Sequence, residues 1–138
     1  MEKTNNLKLN VWEKSDPIHA KDFNDNFQTI DQQMPQFVLG SYTGDEQKTR
    51  TIPLEFTPKA VFLFESDGTT HYQTGSRANY HAGGLATAEN PVKIGDKIVV
   101  QIVDHGFQIG FQYSGSAPEY TYVYSNAKNI KYHYIALR

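Results

Sequence analysis

Lys97-Ile-Val-Val-Gln-Ile-Val-Asp-His-Gly-Phe-Gln-Ile-Gly-Phe111 reads as two apolar, β-branched runs folded about Asp104-His105-Gly106. Valine, isoleucine and phenylalanine suit a pleated, half-buried surface. His105-Gly106 sits where a tight hairpin turn needs positive φ. Upstream of this hairpin, residues 36–42, 49–56 and 60–65 show the same strand character; downstream, so do 120–124 and 130–137. Turn signals divide them: Thr43-Gly44-Asp45, Thr57-Pro58, Ser66-Asp67-Gly68, Asn90-Pro91, Gly95-Asp96 and Ser114-Gly115-Ser116. Short strands with tight turns predict an antiparallel β-sandwich over residues 36–138. In Arg50-Thr-Ile-Pro-Leu-Glu-Phe56 the alternation turns Ile52, Leu54 and Phe56 to one side. Pro53 cannot donate to a ladder, so that strand is expected to pair on one side only.

Before residue 36 the period changes. Phe23, Phe27, Ile30 and Met34 follow at steps of four, three and four, the spacing of a heptad seam. The pattern predicts a helix within residues 15–34, with Asp16-Pro17 as a turn or helix-start signal and Pro35 as its stop. Asn24, Asp25, Asn26, Thr29 and Asp31 give that helix poor intrinsic propensity. It must therefore pack either on its own β-domain or on copies of itself. The narrow stripe favours copies, so Phe23, Phe27, Ile30 and Met34 are the expected oligomerisation residues. The expected organisation is residues 1–35 as an attachment and oligomerisation segment, a coiled coil or helix bundle, and residues 36–138 as the β-domain.

Composition narrows the functional classes. The 138 residues carry a net charge of -2 with no basic run, so a nucleic-acid partner is not expected. Cysteine is absent, which removes disulfides, thiolate metal sites and a cysteine nucleophile. No stretch is apolar enough to span a membrane, and Met1 to Asn10 lacks the apolar core of a signal peptide.

Catalytic chemistry finds little support. Asp104-His105 could pair as acid and base, but a turn explains it better. His71, His81 and His105 match no metal-ligand spacing. Neither a phosphate-binding glycine loop nor a G-x-S-x-G elbow occurs. No enzyme activity, cofactor or metal is expected.

Residues 69–88 lack periodicity and read as a long surface excursion, where binding residues concentrate. Tyr72, Arg77, Asn79, Tyr80 and His81 offer aromatic surface together with planar polar groups, the mixture that recognises sugars. Tyr120, Tyr122 and Tyr124 alternate onto one face, near Tyr113. That face is either a core layer or an oligomer contact, with the contact favoured.

Three segments resemble a known arrangement. Val11 to Asp31 contains Asp22-Phe-Asn-Asp-Asn-Phe-Gln-Thr-Ile-Asp31, which is similar to the "D-F-N-x-N-F-x-x-I-D" leader of tail-fibre and tail-appendage proteins of phages infecting Firmicutes. Gly40-Ser-Tyr-Thr-Gly-Asp45, followed by Thr49-Arg-Thr-Ile-Pro-Leu-Glu-Phe-Thr-Pro-Lys-Ala-Val-Phe-Leu63, resembles the opening of small β-sandwich domains at the ends of such fibres. Lys131-Tyr-His-Tyr-Ile-Ala-Leu-Arg138 resembles their closing strand. The resemblance implies a homotrimer made in the host cytoplasm and placed in the virion. It also implies contacts with other tail proteins through the N-terminus and recognition of a host-surface glycan. Trp12, the sole tryptophan, is expected to anchor onto a neighbouring chain or virion protein rather than to serve as a ligand platform. A structural virion component without a ligand, such as a capsid or baseplate decoration, is the alternative. A polysaccharide hydrolase would need a carboxylate pair that the spacing does not provide.

Overall fold

The structure, a computed structural model, describes residues 1–75 and 77–138. The chain forms two compact units, Met1–Gln36 and Phe37–Arg138. Strands dominate, in several mostly antiparallel sheets, with one α-helix.

In the first unit, β1 (Glu2–Lys3) and β2 (Asn10–Val11) form a small antiparallel hairpin beside α1 (Ala20–Gln33). The helix begins later than the periodicity predicts, because Asp16 closes a turn instead. Its backbone N–H donates to Glu13 O at 3.0 Å, and its carboxylate accepts from Glu13 N at 2.9 Å. His19 occupies the N-cap without a side-chain cap bond. The end is as expected: Met34, held extended before Pro35, has φ -72 and ψ 123.

Asn26 accounts for part of the poor propensity. Its Oδ1 accepts from Asn10 N at 2.6 Å, and its Nδ2 donates to Asn10 O at 3.1 Å. One side chain thus satisfies both backbone groups of a strand residue. Asn10 Nδ2 donates in return to Asp22 O at 3.1 Å. Within the unit Trp12 stacks on Phe23, centroids 4.5 Å apart.

The second unit contains β3 (Phe37–Thr43), β4 (Thr49–Pro53), β5 (Ala60–Glu65), β6 (His71–Gln73), β7 (Asn79–His81), β8 (Gly84–Thr87), β9 (Val92–Ile94), β10 (Lys97–Val103), β11 (Gly106–Ser116), β12 (Glu119–Tyr124) and β13 (Lys131–Leu137). One sheet has the order β3-β13-β5-β8; the other runs β6-β7-β12-β11-β10-β9, with β4 also on β11. β4 pairs with β11 alone, as Pro53 requires. Residues of both sheets meet in one buried cluster, among them Val61, Leu63, Tyr132 and Ala136 from the first and Val100, Phe107, Ile109 and Val123 from the second.

Two expectations need correction. Residues 69–88 are not a loop: they form β6, β7 and β8, with Ala78, Ala82 and Ala86 buried. Strands of three or four residues are too short to show alternation. Nor are all pairings antiparallel, since β7 runs parallel to β12, reached through the long intervening chain that parallel pairing demands. In the β10–β11 hairpin, His105 supplies the positive φ (54). Gly106 is needed for a different reason: a Cβ there would lie 2.3 Å from Ile52 O of β4.

After β12 the chain buries Ser125 and Asn126. Ser125 Oγ donates to Val99 O at 2.7 Å and accepts from Gly110 N at 3.0 Å. It thereby fills the fork where β10 leaves β11 and β12 takes over the ladder. Asn126 Nδ2 donates to Asp45 Oδ1 at 2.6 Å and to Gln47 O at 3.1 Å. Its Oδ1 accepts from Arg50 Nη1 at 3.2 Å, and Tyr42 Oη donates to Ser125 O at 2.6 Å.

Candidate functional site

The registers of β6, β7, β12 and β11 align Tyr72, Tyr80, Tyr122 and Tyr113 in one row across four strands. Tyr72 and Tyr80 stack at 4.7 Å and 8°, Tyr80 and Tyr122 at 4.8 Å and 3°. These separations equal the spacing of adjacent strands, so the rings stand upright and cover one another's faces. The row presents ring edges and hydroxyls, and Tyr72 and Tyr80 have little free face for a sugar. At the far end the stack opens. Tyr113 tilts 41° from Tyr122, meets Tyr120 edge-on at 5.8 Å, and is 60% exposed.

At the near end the row meets Glu65. Its Oε1 is buried without a hydrogen-bond partner among the described residues. Burial, helped by Asp67, raises its pKa above the usual carboxylate range. Burial and the Glu65 charge in turn push the Tyr72 and Tyr124 hydroxyls up.

The opposite face of the same strands carries polar residues. Gln73, Asn79 and Thr121 share one cross-strand row; His71, His81 and Val123 share the next. Arg77, at φ 63 in the β6–β7 turn, reaches Glu119 Oε1 at 2.9 Å on the exposed surface. Gln73, Arg77, Asn79, Glu119, Tyr120 and Thr121 line a groove of about 330 Å³, near the lower limit for small-ligand sites.

The five residues expected to bind ligand are therefore divided. Tyr72 and Tyr80 belong to the tyrosine row, Asn79 and His81 lie on the other face, and Arg77 bridges to β12. Arg77 and Asn79 reach the groove. Gln73, Glu119 and Thr121 join them there, which sequence alone does not show, because three-residue strands carry no readable alternation and the pairing of β7 with β12 joins distant stretches.

The other expected chemistry is dispersed. Asp104 and His105 form an exposed pair at 3.0 Å in the hairpin turn. His105 is not part of the His71–His81 pair, and no group of three metal-ligating residues occurs among the described residues.

Two apolar surfaces are open. On β3, β13, β5 and β8, Leu39, Ile135, Phe62 and Leu85 form one cross-strand row, with Leu39 73% and Leu85 63% exposed. On α1 no residue is buried. Phe27 and Met34 are exposed there, beside a hollow lined by Phe27, Ile30, Asp31, Met34, Pro35 and Gln36.

No known protein family, curated protein or solved structure matches this chain.

Proposed function

We propose that the chain is a distal tail-fibre or tail-tip component of a bacteriophage, a homotrimer in the virion that binds host-surface carbohydrate without turning it over. In this reading residues 37–138 are a β-sandwich and the first unit joins other tail proteins. The groove on β6, β7 and β12 carries the proposal. Gln73, Asn79 and the Arg77–Glu119 pair present planar donors and acceptors beside the ring of Tyr120. That combination suits sugar hydroxyls and C–H surfaces. A shallow site of this size binds weakly, and display in several copies raises avidity by roughly 10² to 10⁴.

The test is adsorption of the purified protein to candidate host bacteria, and competition with phage for them. Tyr120→Ala and Asn79→Ala should each reduce adsorption about tenfold or more, as loss of a good contact implies, while Lys128→Ala should not. Adsorption unchanged in both groove variants refutes the groove. The exposed Leu39–Ile135–Phe62–Leu85 row favours a second reading, a structural virion component whose surfaces serve assembly alone. A folded protein that adsorbs to no host supports that reading.

A further inference from the structure

His71 and His81 are direct partners across β6 and β7. Ala82 N donates to Thr70 O at 2.8 Å and Thr74 N to Ala78 O at 3.0 Å. The hydrogen-bonded positions of this ladder thus alternate with 71–81, leaving it a narrow pair in which side chains approach most closely. The imidazole centroids are 4.5 Å apart, with the planes at 40°. His71 is exposed and His81 half-buried, so the pair opens to solvent.

Two imidazoles at this separation can turn one nitrogen each towards a common point. Metal–nitrogen bonds of about 2.0–2.1 Å place two neighbouring donor nitrogens about 3 Å apart. Of the residues sharing this face, Gln73, Asn79 and Val123 are uncharged, and Arg77, which lines the groove with Gln73 and Asn79, is paired with Glu119 at 2.9 Å. Burial, with His71 beside it, favours the neutral form of His81, which is the ligating form.

We propose that His71 and His81 form a two-imidazole site for a first-row divalent cation, with copper(II) preferred over nickel(II) and zinc(II), and water in the remaining positions. The preference follows the general affinity order for nitrogen ligands. With no third protein ligand, the ion exchanges readily. Its effect is mechanical: β6 is the outermost strand of its sheet, and a bridging ion ties it to β7. That holds Tyr72 in the tyrosine row whether or not the groove binds sugar.

The test is thermal unfolding of the full chain, first stripped of metal, then at neutral pH with excess copper, nickel, zinc or magnesium. A cation that binds only the folded state should raise Tm by several degrees. Copper should act most and magnesium not at all. His71→Asn and His81→Asn should each abolish the copper shift, whereas His105→Asn and His133→Asn should retain it. His71 is exposed, so His71→Asn should keep the metal-free Tm; His71→Gln serves if it does not. Nitrogen hyperfine structure in the copper spin-resonance spectrum should report two imidazoles and change in either variant. No copper-dependent shift, or a shift that survives both substitutions, overturns the site.

Discussion

Asn126 gathers residues from the opening strands of the β-domain. Asp45 and Arg50 bond its side chain, while Tyr42 bonds the carbonyl of Ser125 beside it. Tyr132, in the closing strand, donates to Tyr124 O and accepts from Ala127 N at 3.1 Å. Tyr134 lies over Gly40, where a Cβ would fall 2.2 Å from its ring. The motif residues Tyr42, Asp45 and Arg50, like Asn26 in the helix, thus hold backbone in place. Motifs of this kind report architecture, and they carry no information on what the surface binds. Glu65 is different: its Oε1 is buried without a hydrogen-bond partner among the described residues. Its folded pKa is raised, chiefly by burial, so folding shifts the balance towards the neutral acid. Its contribution is therefore fully present below the unfolded value of about 4.3 and is lost as pH rises through the folded value. Glu65→Gln should leave stability near pH 4 almost unchanged and raise it at pH 7. Urea midpoints at the two pH values check this; an equal change at both would show that ionisation is not the cause.

At the scale of elements, legibility followed strand length. The seven-residue β3, β10 and β13 and the eleven-residue β11 are long enough to read, by alternation in β3 and as an apolar, β-branched run in β10, whereas the three-residue β6 and β7 are not. β6 pairs with β7, and β7 with β12, whose partner residues lie about 40 positions away, a separation that no local period encodes. The candidate site suffered the same blindness: its residue types were visible, but not which face each would occupy. The stacked tyrosines supply what the short strands lack in length. Tyr80 is covered on both faces, by Tyr72 and Tyr122. Tyr80→Ala should cost about 3 kcal/mol, combining lost burial with two lost aromatic pairs. Tyr80→Phe keeps both stacks and should cost less than about 1 kcal/mol. Hydrogen exchange should show the β6 amides losing protection in the alanine variant first, because β6 pairs only with β7. Uniform loss across both sheets would mean that the row does not anchor the edge.

For the whole molecule, the decisive quantity is apolar area left open. The Leu39–Ile135–Phe62–Leu85 face is four strands wide. At about 4.8 Å per strand and about 3.4 Å per residue, this single row covers on the order of 130 Å². That lies within what monomers expose and is far below the roughly 800 Å² per partner that stable interfaces bury. The sheet face alone is thus too small to hold copies together. The α1 stripe, with Phe27 and Met34 exposed, is likewise short for a self-sufficient coiled coil. If both surfaces contribute to one assembly, each should be necessary and neither sufficient. Sedimentation at micromolar concentration should then give a mass near three times 15.7 kDa. Leu39→Glu should shift it towards monomer, since a carboxylate would be buried without a partner. Phe27→Ser with Met34→Ser should do the same by removing seam contacts. Circular dichroism of each variant should match the parent, separating dissociation from unfolding. A parent that sediments as a monomer removes the trimer. Dissociation by the helix variant alone assigns assembly to α1 and leaves the sheet face for another partner.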